Sequence, residues 1–250
     1  MAPPRPQSMH DAIDQRLIDV QSKVRKAFGW AMEDDSRSAS DMIELVDRLA
    51  SSVPFWNDEG RMHCFEEVRR RLIGAESVSI LGAAATPEEA LALAERGDVI
   101  IAADGSVGAL DSYQQLVCVV SDFDGGQYLE SAANEGVPIV AHGHGDNEAY
   151  LKKALTKWAE FDSPPQLILS HQTTLMHPGA HNFGGFTDGD RAVCFALAMG
   201  VEKENIALVG FSLNTVGRWS ATTVPEQKLQ KLRWMYRILE MLGLHGAIVS

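Results

Sequence analysis

The chain is short of basic charge: 22 Lys and Arg stand against 34 Asp and Glu in 250 residues, a formal net charge of -12 at pH 7. General binding to nucleic acid is thereby disfavoured, because it needs cations along the phosphate backbone. An anionic ligand would have to be met by a metal ion or by local donors. Cysteine is scarce as well. Cys64, Cys118 and Cys194 are odd in number and far apart, with no Cys-x-x-Cys pair, so neither a disulfide framework nor a thiolate zinc site is expected. No apolar run reaches the length of a bilayer, and the Pro-rich segment Met1 to His10 lacks the apolar stretch of a secretory signal. That segment reads as a disordered tail. The expectation is a cytoplasmic protein with no membrane partner, and its 45% hydrophobic residues suffice for a normal core.

What is present falls into two parts. Up to residue 74 the pattern is helical: Ile13, Leu17, Val20, Val24 and Phe28 recur at spacings of three and four. Asp34, Asp35 and Ser36 read as a break, after which Asp41 caps a second helix carrying Ile43, Val46 and Leu49. A third helix is predicted from about Arg61 to Leu72, closing at Gly74. From residue 75 to 250 the period changes. Short apolar runs at 78–81, 99–102, 116–120, 138–140, 167–169 and 206–209 alternate with helical stretches. This predicts an α/β domain with a mostly parallel open sheet and flanking helices. In such sheets ligands bind beyond the carboxyl ends of the strands, so the residues after each run carry the chemistry.

After the first run, Gly82 and three alanines precede Thr86 and Pro87, which open a helix and could offer backbone N–H groups to a phosphate. After the second come Asp104 and Gly105, a strand-end carboxylate beside a residue that permits close backbone approach. The third ends in Ser121-Asp122-Phe123-Asp124-Gly125-Gly126, where two carboxylates two residues apart suit a hard cation such as Mg²⁺; the competing reading is an acidic turn capping the next helix. The fourth run leads into His142-Gly143-His144-Gly145-Asp146-Asn147, and Asp146 could add a third carboxylate. A zinc site here would need His171, His177 or His181, whose spacing fits no closed pattern, so magnesium is preferred. Finally, Gly184-Gly185-Phe186-Thr187-Asp188-Gly189-Asp190-Arg191 sets paired glycines beside aromatics, suited to a flat ring, with Arg191 suited to a phosphate or to the Asp pair. Judged alone, that segment also reads as a flexible loop with an N-capping Asp.

Taken in order, the Asp104-Gly105 step, Ser121 to Gly125, the 142–147 loop and the 184–191 run resemble the archaeal-type 6-hydroxymethyl-7,8-dihydropterin diphosphokinase family, which looks related to thiamine diphosphokinases. The resemblance covers most of the chain and extends more loosely into the N-terminal helices. It implies transfer of a diphosphoryl group from ATP to the hydroxymethyl group of a reduced pterin, with release of AMP, in folate or tetrahydromethanopterin biosynthesis. It implies Mg²⁺ and ATP at Asp122, Asp124 and Asp146, and substrate and nucleotide contacts from the 184–191 loop. Asp190 and Arg191 are the further catalytic candidates. Nucleotide-side candidates are Gly82, Asp104, Gly105, Asn147, Gly184, Gly185, Thr187, Asp188 and Arg218. The chain departs from the family pattern in the alanines after Gly82, in Ser212 where Asp is usual, and in Arg218 where Lys is usual.

Three rival readings stay open at this point. A thiamine diphosphokinase would differ in acceptor alone. An aspartyl-phosphate phosphatase shares Asp122-Phe123-Asp124-Gly125 but expects Thr where Gly126 stands. A nucleotide sensor would bind ATP and Mg²⁺ without turnover. The N-terminal helices are expected to cover a sheet edge or to mediate formation of a homo-oligomer.

Overall fold

The computed structural model describes residues 11–145, 147–220 and 225–248. The expected tail at 1–10 and the candidate ligand Asp146 lie outside the described residues. Three N-terminal helices, α1 (Arg16–Phe28), α2 (Met32–Leu49) and α3 (Asp58–Ile73), precede six strands: β1 (Val78–Leu81), β2 (Val99–Ala103), β3 (Leu116–Ser121), β4 (Ile139–Gly143), β5 (Leu167–His171) and β6 (Ile206–Val209). Between and after the strands run α4 (Pro87–Arg96), α5 (Gly126–Asn134), α6 (Glu148–Trp158), α7 (Asp188–Ala198) and α8 (Pro225–Leu242). All strand pairs are parallel, in the order β5-β4-β3-β2-β1-β6. The expected open α/β sheet is what forms.

Strand alternation divides the sheet's apolar residues between its two faces. Ile100, Ala102, Ile139, Ala141, Leu167 and Leu169 pack with residues of α2, α4, α5 and α6, while Ile101, Val140 and Ile168 pack with residues of α3, α7 and α8. Both faces are covered, which explains why the strands read as continuous apolar runs rather than as alternating ones. Helix α1 adds a smaller cluster in which Leu17, Val20 and Val24 meet Phe186 and Ile238. Among the described residues no helix is long and apolar enough to cross a membrane.

Three boundaries differ from the sequence expectation. No break occurs at Asp34 to Ser36: α2 starts at Met32 and runs straight through them, so Asp41 is mid-helix and caps nothing. Glu33, Asp34 and Asp35 sit in the first turn, where carboxylates oppose the positive end of the helix dipole. Buried Asp35 is also paired with Arg25, Nη1 to Oδ2 at 3.1 Å. Helix α1 begins at Arg16, leaving Ile13 exposed. The segment 184–191, read from sequence as a loop, is already helical from Asp188, which brings Asp188 and Arg191 onto the first turn of α7.

Winding proceeds from β1 to β5 and then crosses back to β6 beside β1, so the chain reverses at the β1/β6 boundary. There the two strand ends approach closely. Gly82 N donates to Val209 O (2.8 Å) and Ala84 N to Gly210 O (2.9 Å). Gly210 has φ +73°, and a Cβ on it would lie 2.0 Å from Ala85 N. Gly210→Ala is therefore expected to destabilise the fold by about 3 kcal/mol or more, strain and overpacking adding. A denaturant midpoint within error of the parent would show that this junction yields freely.

Candidate functional site

The carboxyl ends of β2 and β3 bring three carboxylates together. Asp104 follows β2 directly, and Asp122 and Asp124 follow β3. One oxygen from each lies within 4.8 Å of the others. Two of the residues that form this arrangement are held in left-handed backbone conformations: Asp104 at φ 49° and Phe123 at φ 74°. Non-glycine residues reach that region at a cost and do so mainly where surroundings enforce it. Here Ser121 Oγ donates to Asp104 Oδ1 (2.5 Å) and accepts from Phe123 N (2.8 Å), tying the two strand ends to each other. Gly125 leaves room for this tie, since a Cβ on it would sit 2.8 Å from both Asp104 Oδ1 and Gly105 N.

A shell of donors surrounds Asp122. His144 Nε2 lies 3.1 Å from Asp122 Oδ2, and Arg191 Nη1 is 3.7 Å from the same oxygen. Asn147 Nδ2 donates to the Asp122 carbonyl (2.9 Å) and to the His142 carbonyl (2.7 Å), bracing both loops. Arg191 also donates from Nη1 to Asp188 Oδ1 (3.1 Å) and from Nη2 to Gln172 Oε1 (3.0 Å). Gln172 Nε2 in turn donates to Asp35 Oδ2 (3.0 Å), which Arg25 also contacts. A buried polar chain thus runs from α1 and α2 to the carboxylates. Two buried atoms in it find no hydrogen-bond partner among the described residues, Asp122 Oδ1 and Arg191 Nε.

Charge crowding separates the acids. Burial pushes Asp104 well above the usual carboxylate range, helped by the charges of Asp124, Asp188 and Asp122. Asp124 is raised by burial and by Asp122. Asp188, raised by burial and by Asp122 against the opposing pull of Arg191, reaches about 7. At Asp122 burial also raises, but the hydrogen bond from His144 and the charges of His144, Arg191 and Lys231 outweigh it and hold the group far below the usual range. Asp122 is the acid kept ionised.

Two adjoining cavities open onto this cluster and share Asp124, Thr187, Asp188 and Lys228. The larger, about 610 Å³ of open space, lies at the β1/β6 reversal between Gly82, Gly105, Gly189 and Phe211. The second, about 540 Å³, is walled by Trp30 and Phe186 and bordered by Asp122, His144, Arg191 and Lys231. Three oxygen donors with one orphaned buried oxygen suit a hard divalent cation. Among the described residues the histidines give no such set: His142 Nδ1 is 3.0 Å from Ser170 Oγ, and the His171 ring packs edge-on against His177.

Of the residues singled out in the sequence, Asp104, Asp122, Asp124, Thr187, Asp188 and Arg191 meet around the cavities, with Gly82 and Gly105 lining the larger one. Others lie elsewhere. Asp190 is fully buried, and its carboxylate accepts from Phe186 N (2.6 Å) and Thr187 N (2.9 Å), which caps α7 and aims no oxygen at the cluster. Gly184 packs on Leu17, and Gly185 on the Arg191 backbone. Arg218 is exposed, its guanidinium 4.7 Å from the Trp219 ring centroid. Sequence reading missed Trp30, Gln172, Lys228 and Lys231. The lysines carried a signal, because a spacing of three puts two cations on one face of α8. Trp30 and Gln172 carried none.

No family model matches the chain. It is 33% identical over 233 residues to a protein of Pyrococcus furiosus named 6-hydroxymethyl-7,8-dihydropterin pyrophosphokinase, covering 90% of this chain and 91% of that one. Proteins of the same name from Methanothermobacter thermautotrophicus (32% identity, 60% of this chain and 65% of the relative) and Methanocaldococcus jannaschii (26%, 88% and 92%) are also similar. Likeness at this level over nearly the whole length joins the strand-end acids and paired cavities in one conclusion: the chain belongs to the 6-hydroxymethyl-7,8-dihydropterin pyrophosphokinase family and is a diphosphokinase.

Proposed function

We propose that the enzyme transfers the terminal diphosphoryl group of ATP to the hydroxymethyl group of 6-hydroxymethyl-7,8-dihydropterin and releases AMP, with Mg²⁺ held by Asp104, Asp122 and Asp124. One observation carries this reading: the acidic cluster lies between two cavities that share part of its wall. In-line displacement needs donor and acceptor on opposite sides of the attacked phosphorus, with the charge between them compensated. The cavity at the β1/β6 reversal has the position that nucleotides favour in parallel sheets, with the first turn of α7 opening onto it. A bound Mg²⁺ supplies charge neutralisation at the phosphate oxygens. The chain's own residues do the rest. Asp122 stays ionised beside His144 and Arg191, Lys228 reaches both cavities and compensates phosphate charge, and Asp188, within reach of both, orients the acceptor hydroxyl.

Incubation with ATP, Mg²⁺ and a panel of hydroxymethyl acceptors tests the reading. AMP should form with the reduced pterin and not with thiamine, and only when the cation is present. AMP formation with thiamine alone would move the enzyme to the related activity, and inorganic phosphate released without an acceptor would sink the transferase reading.

A pH dependence follows from the cluster. Asp104, Asp124 and Asp188 have raised folded-state pKa values. The stability they contribute is therefore full below the ordinary carboxylate range and is lost as pH rises, for Asp188 through about 7. Asp122 is lowered, so its contribution is full above the ordinary carboxylate range and is lost progressively as pH falls below it. Mg²⁺ should thus raise the unfolding temperature more at about pH 8 than at about pH 5, where protons compete for the same oxygens. Equal stabilisation at both ends would show that the cation binds elsewhere.

A further inference from the structure

Trp30 lies outside the α/β core, in the short link between α1 and α2, yet it forms a wall of the second cavity. One side of its ring is backed by Phe28, with centroids 4.7 Å apart and planes inclined by 18°. Phe186, from the loop before α7, stands 6.0 Å from Trp30 and 5.9 Å from Phe28, closing an aromatic corner. Lys231 Nζ lies over the Trp30 ring, 5.6 Å from its centroid, and lines the same cavity. The link is held in place from below. Arg25 near the end of α1 and Asp35 near the start of α2 form a buried ion pair, and both bond to Gln172, whose Oε1 accepts from Arg191. The buried chain that fixes Trp30 therefore also fixes the guanidinium at the acidic cluster.

An aromatic corner of this kind suits a flat, neutral, conjugated ring, which gains stacking area without losing charge solvation. The cavity at the β1/β6 reversal has no wall from α1 or α2. We propose that Trp30, with Phe186, is the stacking wall for the acceptor's bicyclic ring, so that the N-terminal helical pair sets acceptor specificity. This assignment rests on the diphosphotransfer reading above. It gives the N-terminal helices a part in the active site, besides the edge-covering or self-association role expected from sequence.

The full-length enzyme and its Trp30→Ala and Trp30→Phe variants test it, by steady-state kinetics with each substrate varied in turn and by calorimetric titration with 6-hydroxymethyl-7,8-dihydropterin itself. Loss of an aromatic stacking partner should raise KM and Kd for the reduced pterin by about tenfold or more. KM for ATP should stay within about twofold, and Trp30→Phe should recover most of the loss. A rise in KM for ATP with the pterin constants unchanged overturns the assignment, as does unchanged pterin binding in Trp30→Ala. Failure of the unaltered enzyme both to bind the pterin and to release AMP overturns the diphosphotransfer reading as well, so the two failures are distinguishable. A Trp30→Ala protein that loses its fold leaves Trp30→Leu to decide, which keeps apolar bulk without a stacking face: there KM for pterin should rise about tenfold while KM for ATP does not, and unchanged pterin constants or the reverse pattern overturn the proposal.

Discussion

Asp122→Asn should lower AMP formation by about a thousandfold or more while leaving the fold intact. Asparagine keeps the shape and one carbonyl-type oxygen but removes the charge. Asp122 is the member of the cluster held ionised by His144, Arg191 and Lys231, and its buried Oδ1 has no hydrogen-bond partner among the described residues. Removing that charge weakens cation binding and leaves His144 and Arg191 facing a neutral amide. Loss of one preorganised electrostatic group at a reacting centre is worth about a hundred- to a thousandfold, and impaired metal binding adds to it. The control is Asp190→Asn, which alters a carboxylate turned toward the α7 cap and should act on stability before catalysis. A near-normal rate for Asp122→Asn, measured as AMP per enzyme under saturating ATP and Mg²⁺, would remove Asp122 from the site.

Arg191→Met is expected to cost the metal-free protein about 3–5 kcal/mol, the usual penalty for stripping one partner from a buried charge pair. Arg191 is buried and sits 3.1 Å from Asp188 and 3.7 Å from Asp122. Without it the local charge becomes wholly acidic apart from His144 and the lysines of α8. A divalent cation at the cluster replaces part of the missing charge, so Mg²⁺ should stabilise this variant more than the parent. Denaturant unfolding with and without Mg²⁺ reads both effects. A loss that Mg²⁺ leaves untouched would mean that Arg191 serves the core and not the carboxylates.

The sheet was legible because its strands, the edge strand β6 apart, are buried on both faces, and their apolar runs are bounded by turn residues that have their own chemistry. Asp104, Asp122 and Asp124 were legible for a related reason, since a parallel sheet aligns its strand ends and residues directly after different runs become neighbours. Helix α2 was misread at Asp34 to Ser36 because three polar residues signal a turn locally, whereas a buried ion pair with Arg25 makes one of them part of a helix. The place of Asp190 was not legible, because capping and catalytic carboxylates look alike in a Thr-Asp-Gly-Asp string and only the hydrogen bonds show that this one turns toward the α7 cap. Trp30 and Gln172 were invisible for a different reason. Their importance comes from long-range packing of the α1–α2 link against the mouth of the sheet, which no local pattern encodes.

The central claim, that the acidic cluster passes a diphosphoryl group between the two cavities, is tested most directly by following the label from ATP marked in its γ-phosphate. With 6-hydroxymethyl-7,8-dihydropterin and Mg²⁺, all transferred label should appear in the pterin diphosphate, matched mole for mole by unlabelled AMP. Labelled pterin monophosphate with ADP, or labelled inorganic phosphate, would contradict it.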